Sequence, residues 1–172
     1  KKNGKKLIGF CGGPFTVLTY MIEGGTSKDH LKIKGFVREK KQKALELIDI
    51  LTEISIEYLK NQILSGAEYI QIFESWAGLL KHDEYEDFII RPNQKITDEI
   101  KSFSMQTKII HFPRGSNRNY LTFLDEVKCD VLSLDDNFPD LLLDKARNKD
   151  VTIQGNLNPS ILLEGGDGMN EK

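Results

Sequence analysis

The sequence predicts an α/β fold, read as consecutive units of a (β/α)8 barrel, and three observations carry that expectation. Five short apolar runs alternate with amphipathic stretches, the pattern of βαβ units on a parallel sheet. Several spacings suit a barrel, which takes roughly 250 residues or about thirty per unit. Four of the runs end in clusters rich in glycine, polar and aromatic residues: FCGG at 10–13, ESW at 74–76, HFPR at 111–114 and QGN at 154–156. A barrel gathers such strand ends round one mouth, whereas a doubly wound sheet, the competing architecture, strings them along an edge.

The elements follow in order. Residues 7–11 read as a strand, and the glycine-rich run at 9–29 as the loop after it, between strand and helix. The charge-rich stretch 34–43 reads as a solvated helix face. A helix is expected over 41–65, where Leu45, Ile48, Leu51, Ile54, Tyr58 and Leu59 recur at helical spacing and Gly66 supplies a stop. A buried strand spans 68–73, followed by a helix over 82–104 interrupted near Pro92. Strands at 108–112, 131–134 and 151–154 alternate with helices at 120–128 and 138–147. Pro159 then opens a further helix.

Composition narrows the function. With 172 residues, 39% hydrophobic and 29% charged, the chain suits one globular domain or a large part of one. A net charge of −2 offers no footprint for nucleic acid or an acidic membrane. Cys11 and Cys129 form no CxxC pair, which favours a reducing compartment. No apolar run approaches a membrane span, and no secretory signal is visible. The chain begins KKNGKK and ends GGDGMNEK, with the alternation incomplete at both ends. Residues 1–172 are therefore expected to be a single partial domain cut from something longer.

The run GFCGGPFTVLTYMIEGG resembles the second signature of the uroporphyrinogen decarboxylase family. Gly9, Phe10, Cys11, Gly12, Pro14, Phe15, Thr16, Tyr20, Glu23 and Gly24 fit its pattern. The resemblance continues through QIFESWAGLL, IIHFPRG, LSLD and QGNLNP, in order. It implies a (β/α)8 TIM barrel, of which this chain holds the third to seventh strands. It also implies conversion of uroporphyrinogen III to coproporphyrinogen III by removal of the acetate carboxyls, in porphyrin and haem biosynthesis. No metal or organic cofactor is implied, and the enzymes are cytoplasmic homodimers. The family's carboxylate-binding arginine loop, the aspartate that contacts the pyrrole nitrogens and a cleft histidine belong to segments outside this chain. No catalytic residue is therefore assigned here, and the 172 residues alone are expected to be inactive.

Four substrate-binding positions are carried over from the resemblance. Tyr20 and Ser75 can donate hydrogen bonds to a carboxylate. The competing roles are helix packing for Tyr20 and an N-cap for Ser75. Phe10 and Phe73 match apolar walls of the cleft, with ordinary barrel packing as the alternative. Among the remaining residues, Gly12, Gly13, Gly24 and Gly25 suit tight turns or close approach rather than a phosphate cradle. His111 lacks a spaced metal-ligating partner and reads as a hydrogen-bonded barrel histidine. Arg114 and Arg118 suit either an anionic ligand or the surface. Glu23 and Glu74 would repel a polyanion, so helix-start or loop hydrogen bonds are expected of them. Trp76 is assigned no chemistry. Asp136 and Asn137 after Leu134-Asp135, and Asn158 before Pro159, depart from the family pattern. Two alternatives stand beside the decarboxylase: a non-catalytic partial barrel, and a corrinoid-linked zinc methyltransferase of the same superfamily, for which no ligand cluster is visible.

Overall fold

The computed structural model describes residues 4–25 and 27–165. The terminal runs 1–3 and 166–172, read above as parts of cut ends, lie outside the described residues, as does Thr26. Five strands, β1 (Ile8–Gly12), β2 (Tyr69–Phe73), β3 (Lys108–Phe112), β4 (Val131–Leu134) and β5 (Thr152–Gly155), pair in parallel in the order β1-β2-β3-β4-β5. A doubly wound sheet reverses its winding at a switch point and scrambles this order. Strictly sequential order, with a helical crossover between each pair, is the arc of a barrel.

The register sorts the side chains. Cys11, Ile72, His111 and Leu132 lie at one level and on one face, and all are buried. That face packs against the helices. Ile70, Ile72 and Ile109 meet Ile56 and Leu59 of α3 (Lys41–Leu64) and Ile96 and Ile100 of α5 (Arg91–Phe103). Each such burial stabilises the fold by roughly 1.5–3 kcal/mol. The opposite face carries Phe10, Gln71, Phe73, Ile110 and Phe112, and would be the lumen of a closed barrel. At the N-terminal rim, Asp130 accepts from Lys101, from Lys108 at 2.8 Å and from the Ile109 amide at 2.9 Å. These contacts tie α5 to the starts of β3 and β4, the end of a barrel that serves stability.

Several expectations change. Residues 9–29 are not one loop. Gly13 alone separates β1 from helix α1 (Pro14–Glu23), which ends at the left-handed cap Gly24 (φ 78°). The stretch 34–43 is shared by two helices, α2 (Leu31–Glu39) and the start of α3, and Val37 within it is buried. In α3, Ile54 and Tyr58 are exposed, while Ala44, Ile48, Thr52, Ser55, Ile56 and Leu59 form the buried face. The interruption expected near Pro92 is present, and the proline sits in the first turn of α5. A π-turn over Glu86–Ile90 follows α4 (His82–Tyr85), and the Arg91 amide bonds back to the Glu86 carbonyl. The widened turn absorbs the missing proline N–H. Helix α6 spans Asn119–Glu126, and α7 starts at Leu141 rather than at 138. Pro159 opens α8 (Pro159–Glu164) as expected.

Candidate active-site wall

The wall is built at the C-terminal ends of β1 to β5. Phe10 and Phe73 meet edge to face at 6.1 Å between ring centroids, and Phe73 meets Phe112 at 6.4 Å. Three neighbouring strands thus present one continuous apolar wall on the inner face. Phe112 belongs to the HFPR strand-end cluster but is not among the four positions carried over from the resemblance. Its signal was present, because it ends β3 as Phe73 ends β2, and strand ends share a face at equal register. Phe10 lies on the free edge of β1 and is 62% exposed. Its backbone is nevertheless held. The Gln62 amide accepts from the Phe10 N–H at 2.7 Å and donates to its carbonyl at 2.9 Å, in place of a neighbouring strand.

Tyr20 projects from α1 rather than from a loop, and is half-exposed. Its ring meets Trp76 edge to face at 6.2 Å, and Trp76 meets His30 at 4.2 Å. Trp76, assigned no chemistry from sequence, therefore joins Tyr20 to the segment that carries Ser75. Ser75 is half-buried and caps no helix, since the short 3-10 turn Ala77–Leu79 begins without a side-chain cap. Neither the Tyr20 nor the Ser75 hydroxyl has a hydrogen-bond partner among the described residues. Both are left available to a ligand.

A cleft of 780 Å³ opens at these strand ends, lined by Ser75, Trp76, Phe112, Arg114, Asp135 and Asp136 among others. Two departures from the family pattern meet beside it. The Asn158 amide donates to Asp136 and its carbonyl oxygen caps α8 by accepting from the Ser160 amide at 2.8 Å. An aspartate at 158 would set two carboxylates against each other, so the two departures compensate.

Glu74 is the buried hub of the wall. It lies between Phe73 and Ser75 but points to the outer side, where it is 1% exposed. It accepts from the Phe15 amide at 3.2 Å, from the Thr16 amide at 3.0 Å and hydroxyl at 2.9 Å, and from Asn93 at 3.3 Å. Helix α1 has no side-chain cap of its own, and this distant carboxylate satisfies its first amides. Burial outweighs these donors and pushes the Glu74 pKa up to about 7. Gly13 makes room for it. A Cβ there would lie 2.2 Å from Glu74 Cδ, although φ is an ordinary −67°. Glu23 does the same work on a smaller scale, accepting from the Ile33 amide at 3.0 Å, which lowers its pKa. Both carboxylates thus make the helix-start bonds expected of them.

His111 faces the helices, not the mouth. Its Nε2 pairs with the Thr97 hydroxyl at 2.9 Å, and burial pushes its pKa down to about 3. Cys11 and Cys129 are buried, and burial pushes both thiols up to about 12. Among the described residues, no three His, Cys, Asp or Glu side chains gather as a metal site. Among the same residues, no helix is long and apolar enough to cross a membrane.

Comparison with known proteins agrees with the geometry. The family model for uroporphyrinogen decarboxylase matches residues 1–172. A uroporphyrinogen decarboxylase of Rickettsia bellii is 46% identical over 157 residues, covering 91% of this chain and 46% of the relative. Those of Rickettsia conorii and Orientia tsutsugamushi are 40% and 41% identical, covering 96% and 92% of this chain and 48% and 46% of their own lengths. The chain spans about half the length of the curated relatives it matches. With the match running along the whole chain and the parallel strands following in barrel order, the chain belongs to the uroporphyrinogen decarboxylase family.

Proposed function

We propose that the protein carrying this chain converts uroporphyrinogen to coproporphyrinogen, and that this chain supplies one wall of the substrate cleft. The observation that carries the reading is the family match over residues 1–172, with unengaged hydroxyls on Tyr20 of α1 and on Ser75 after β2. Loss of carbon dioxide from a pyrrole acetate needs an electron sink, and a protonated pyrrole ring is one. The substrate then supplies what a cofactor otherwise would. The protein's task is to hold a flexible polyanion and shield the reacting acetate. Tyr20 and Ser75 donate to peripheral carboxylates, while Phe10, Phe73 and Phe112 offer apolar surface to the macrocycle. The proton donor and the groups that stabilise the pyrrole cation lie outside this chain in this reading, which places the full protein in the cytoplasm as a homodimer.

The full-length protein, without added metal or cofactor, is expected to form coproporphyrinogen from uroporphyrinogen. Tyr20→Phe and Ser75→Ala are each expected to raise KM by about tenfold, the worth of one hydrogen bond to a charged group. Absence of turnover by the full-length protein, or unaltered kinetics in both variants, would overturn the reading.

A further inference from the structure

We propose that Arg114 is a further carboxylate-binding residue of this wall, acting beside Ser75 and favouring a polycarboxylate substrate. The inference rests on the decarboxylase reading above. Sequence alone left Arg114 and Arg118 equivalent, but the structure separates them. Among the described residues, Arg114 is the one cation lining the 780 Å³ cleft, which Ser75 also lines. Arg118 lies outside that lining, exposed at the start of α6.

The position of Arg114 is built. Its amide donates to the Glu74 carbonyl at 3.1 Å, and its own carbonyl accepts from the Gly78 amide at 3.0 Å. The two loops touch backbone to backbone: a Cβ on Gly78 would lie 2.6 Å from the Gly115 carbonyl oxygen. The root of the Arg114 side chain is therefore fixed against the segment that carries Ser75.

The guanidinium makes no side-chain hydrogen bond among the described residues and interacts with Tyr120 through its charge. It makes no ion pair among the described residues. The acids that share the cleft are engaged elsewhere. Asp135 accepts from the Gly115 amide and from the Asn137 amide at 3.1 Å, and Asp136 accepts from Asn158. An exposed guanidinium fork matches a carboxylate in bidentate geometry. Both aspartates carry negative charge into the same cleft, and the Arg114 guanidinium is the group there that a substrate carboxylate can pair with.

Steady-state kinetics of the full-length protein with uroporphyrinogen test this. Arg114→Gln is expected to raise KM about tenfold with kcat within about twofold, as loss of equal ground-state and transition-state binding requires. Arg114→Lys is expected to recover part of the loss. Arg118→Gln removes the same charge from the same loop and is expected to leave KM unmoved. An unmoved KM in Arg114→Gln, with normal turnover by the wild type, overturns this inference alone. So does an equal rise in Arg118→Gln, which would show a general field rather than a contact. A wild-type protein that forms no coproporphyrinogen overturns the underlying reading as well.

Discussion

Glu74→Ala is the perturbation that reaches furthest into this fold. The substitution leaves the buried Phe15 and Thr16 amides without an acceptor. An unsatisfied buried group costs about 1–3 kcal/mol, so two cost roughly 2–6 kcal/mol. The cost depends on pH, and its sign follows from the raised pKa. The folded state holds the Glu74 proton up to about pH 7, while the unfolded chain releases it near the ordinary glutamate value of 4.5. The stability that this group contributes is therefore fully present below pH 4.5 and lost as pH rises through 7. Between pH 5 and pH 8 the loss is on the order of 2–3 kcal/mol. Urea unfolding of the full-length wild type and Glu74→Ala, followed by circular dichroism, is expected to give the larger difference at pH 5. Because Glu74 holds the helix that carries Tyr20, the variant is also expected to raise KM. A difference below about 1 kcal/mol at both pH values, the cost of one ordinary hydrogen bond, would refute the reasoning. So would a difference that does not change with pH.

Two further outcomes follow from the same packing. Gly13→Ala places a methyl group 2.2 Å from Glu74 Cδ, and is expected to lower Tm about as much as Glu74→Ala while adding little in the double variant, because both break one contact. Additive losses in thermal unfolding would contradict this. His111, with its pKa lowered to about 3, is expected to stay neutral in the fold from pH 8 to pH 5. Its stability contribution is present above the unfolded value of 6.5 and is lost as pH falls from there towards 3. Imidazole NMR shifts that titrate near pH 6.5 in the folded protein would contradict it.

The strands were legible because buried parallel strands read as continuous apolar runs, and YIQIF and KIIHF have nearly the expected limits. Helix α1 was not. Its sequence opens with glycine, proline and a hydroxyl, which read locally as a loop, and the carboxylate that satisfies its first amides comes from 58 residues away. The apolar spacing of α3 gave the helix but not its inward face, since Ile54 and Tyr58 fit the period yet stay exposed. At the candidate site, Tyr20 and Ser75 were proposed through the family motif. Phe112 and Arg114 needed the strand register and loop packing, which no short motif encodes. The helix-start bonds of Glu74 were expected from its charge, and the structure shows them on the Phe15 and Thr16 amides.

The most direct test of the substrate wall is a structure of the full-length protein with coproporphyrinogen bound. Tyr20 Oη and Ser75 Oγ are expected within hydrogen-bond distance of product carboxylates, with the macrocycle against Phe10, Phe73 and Phe112. A product seated elsewhere, with both hydroxyls facing solvent, would contradict the account.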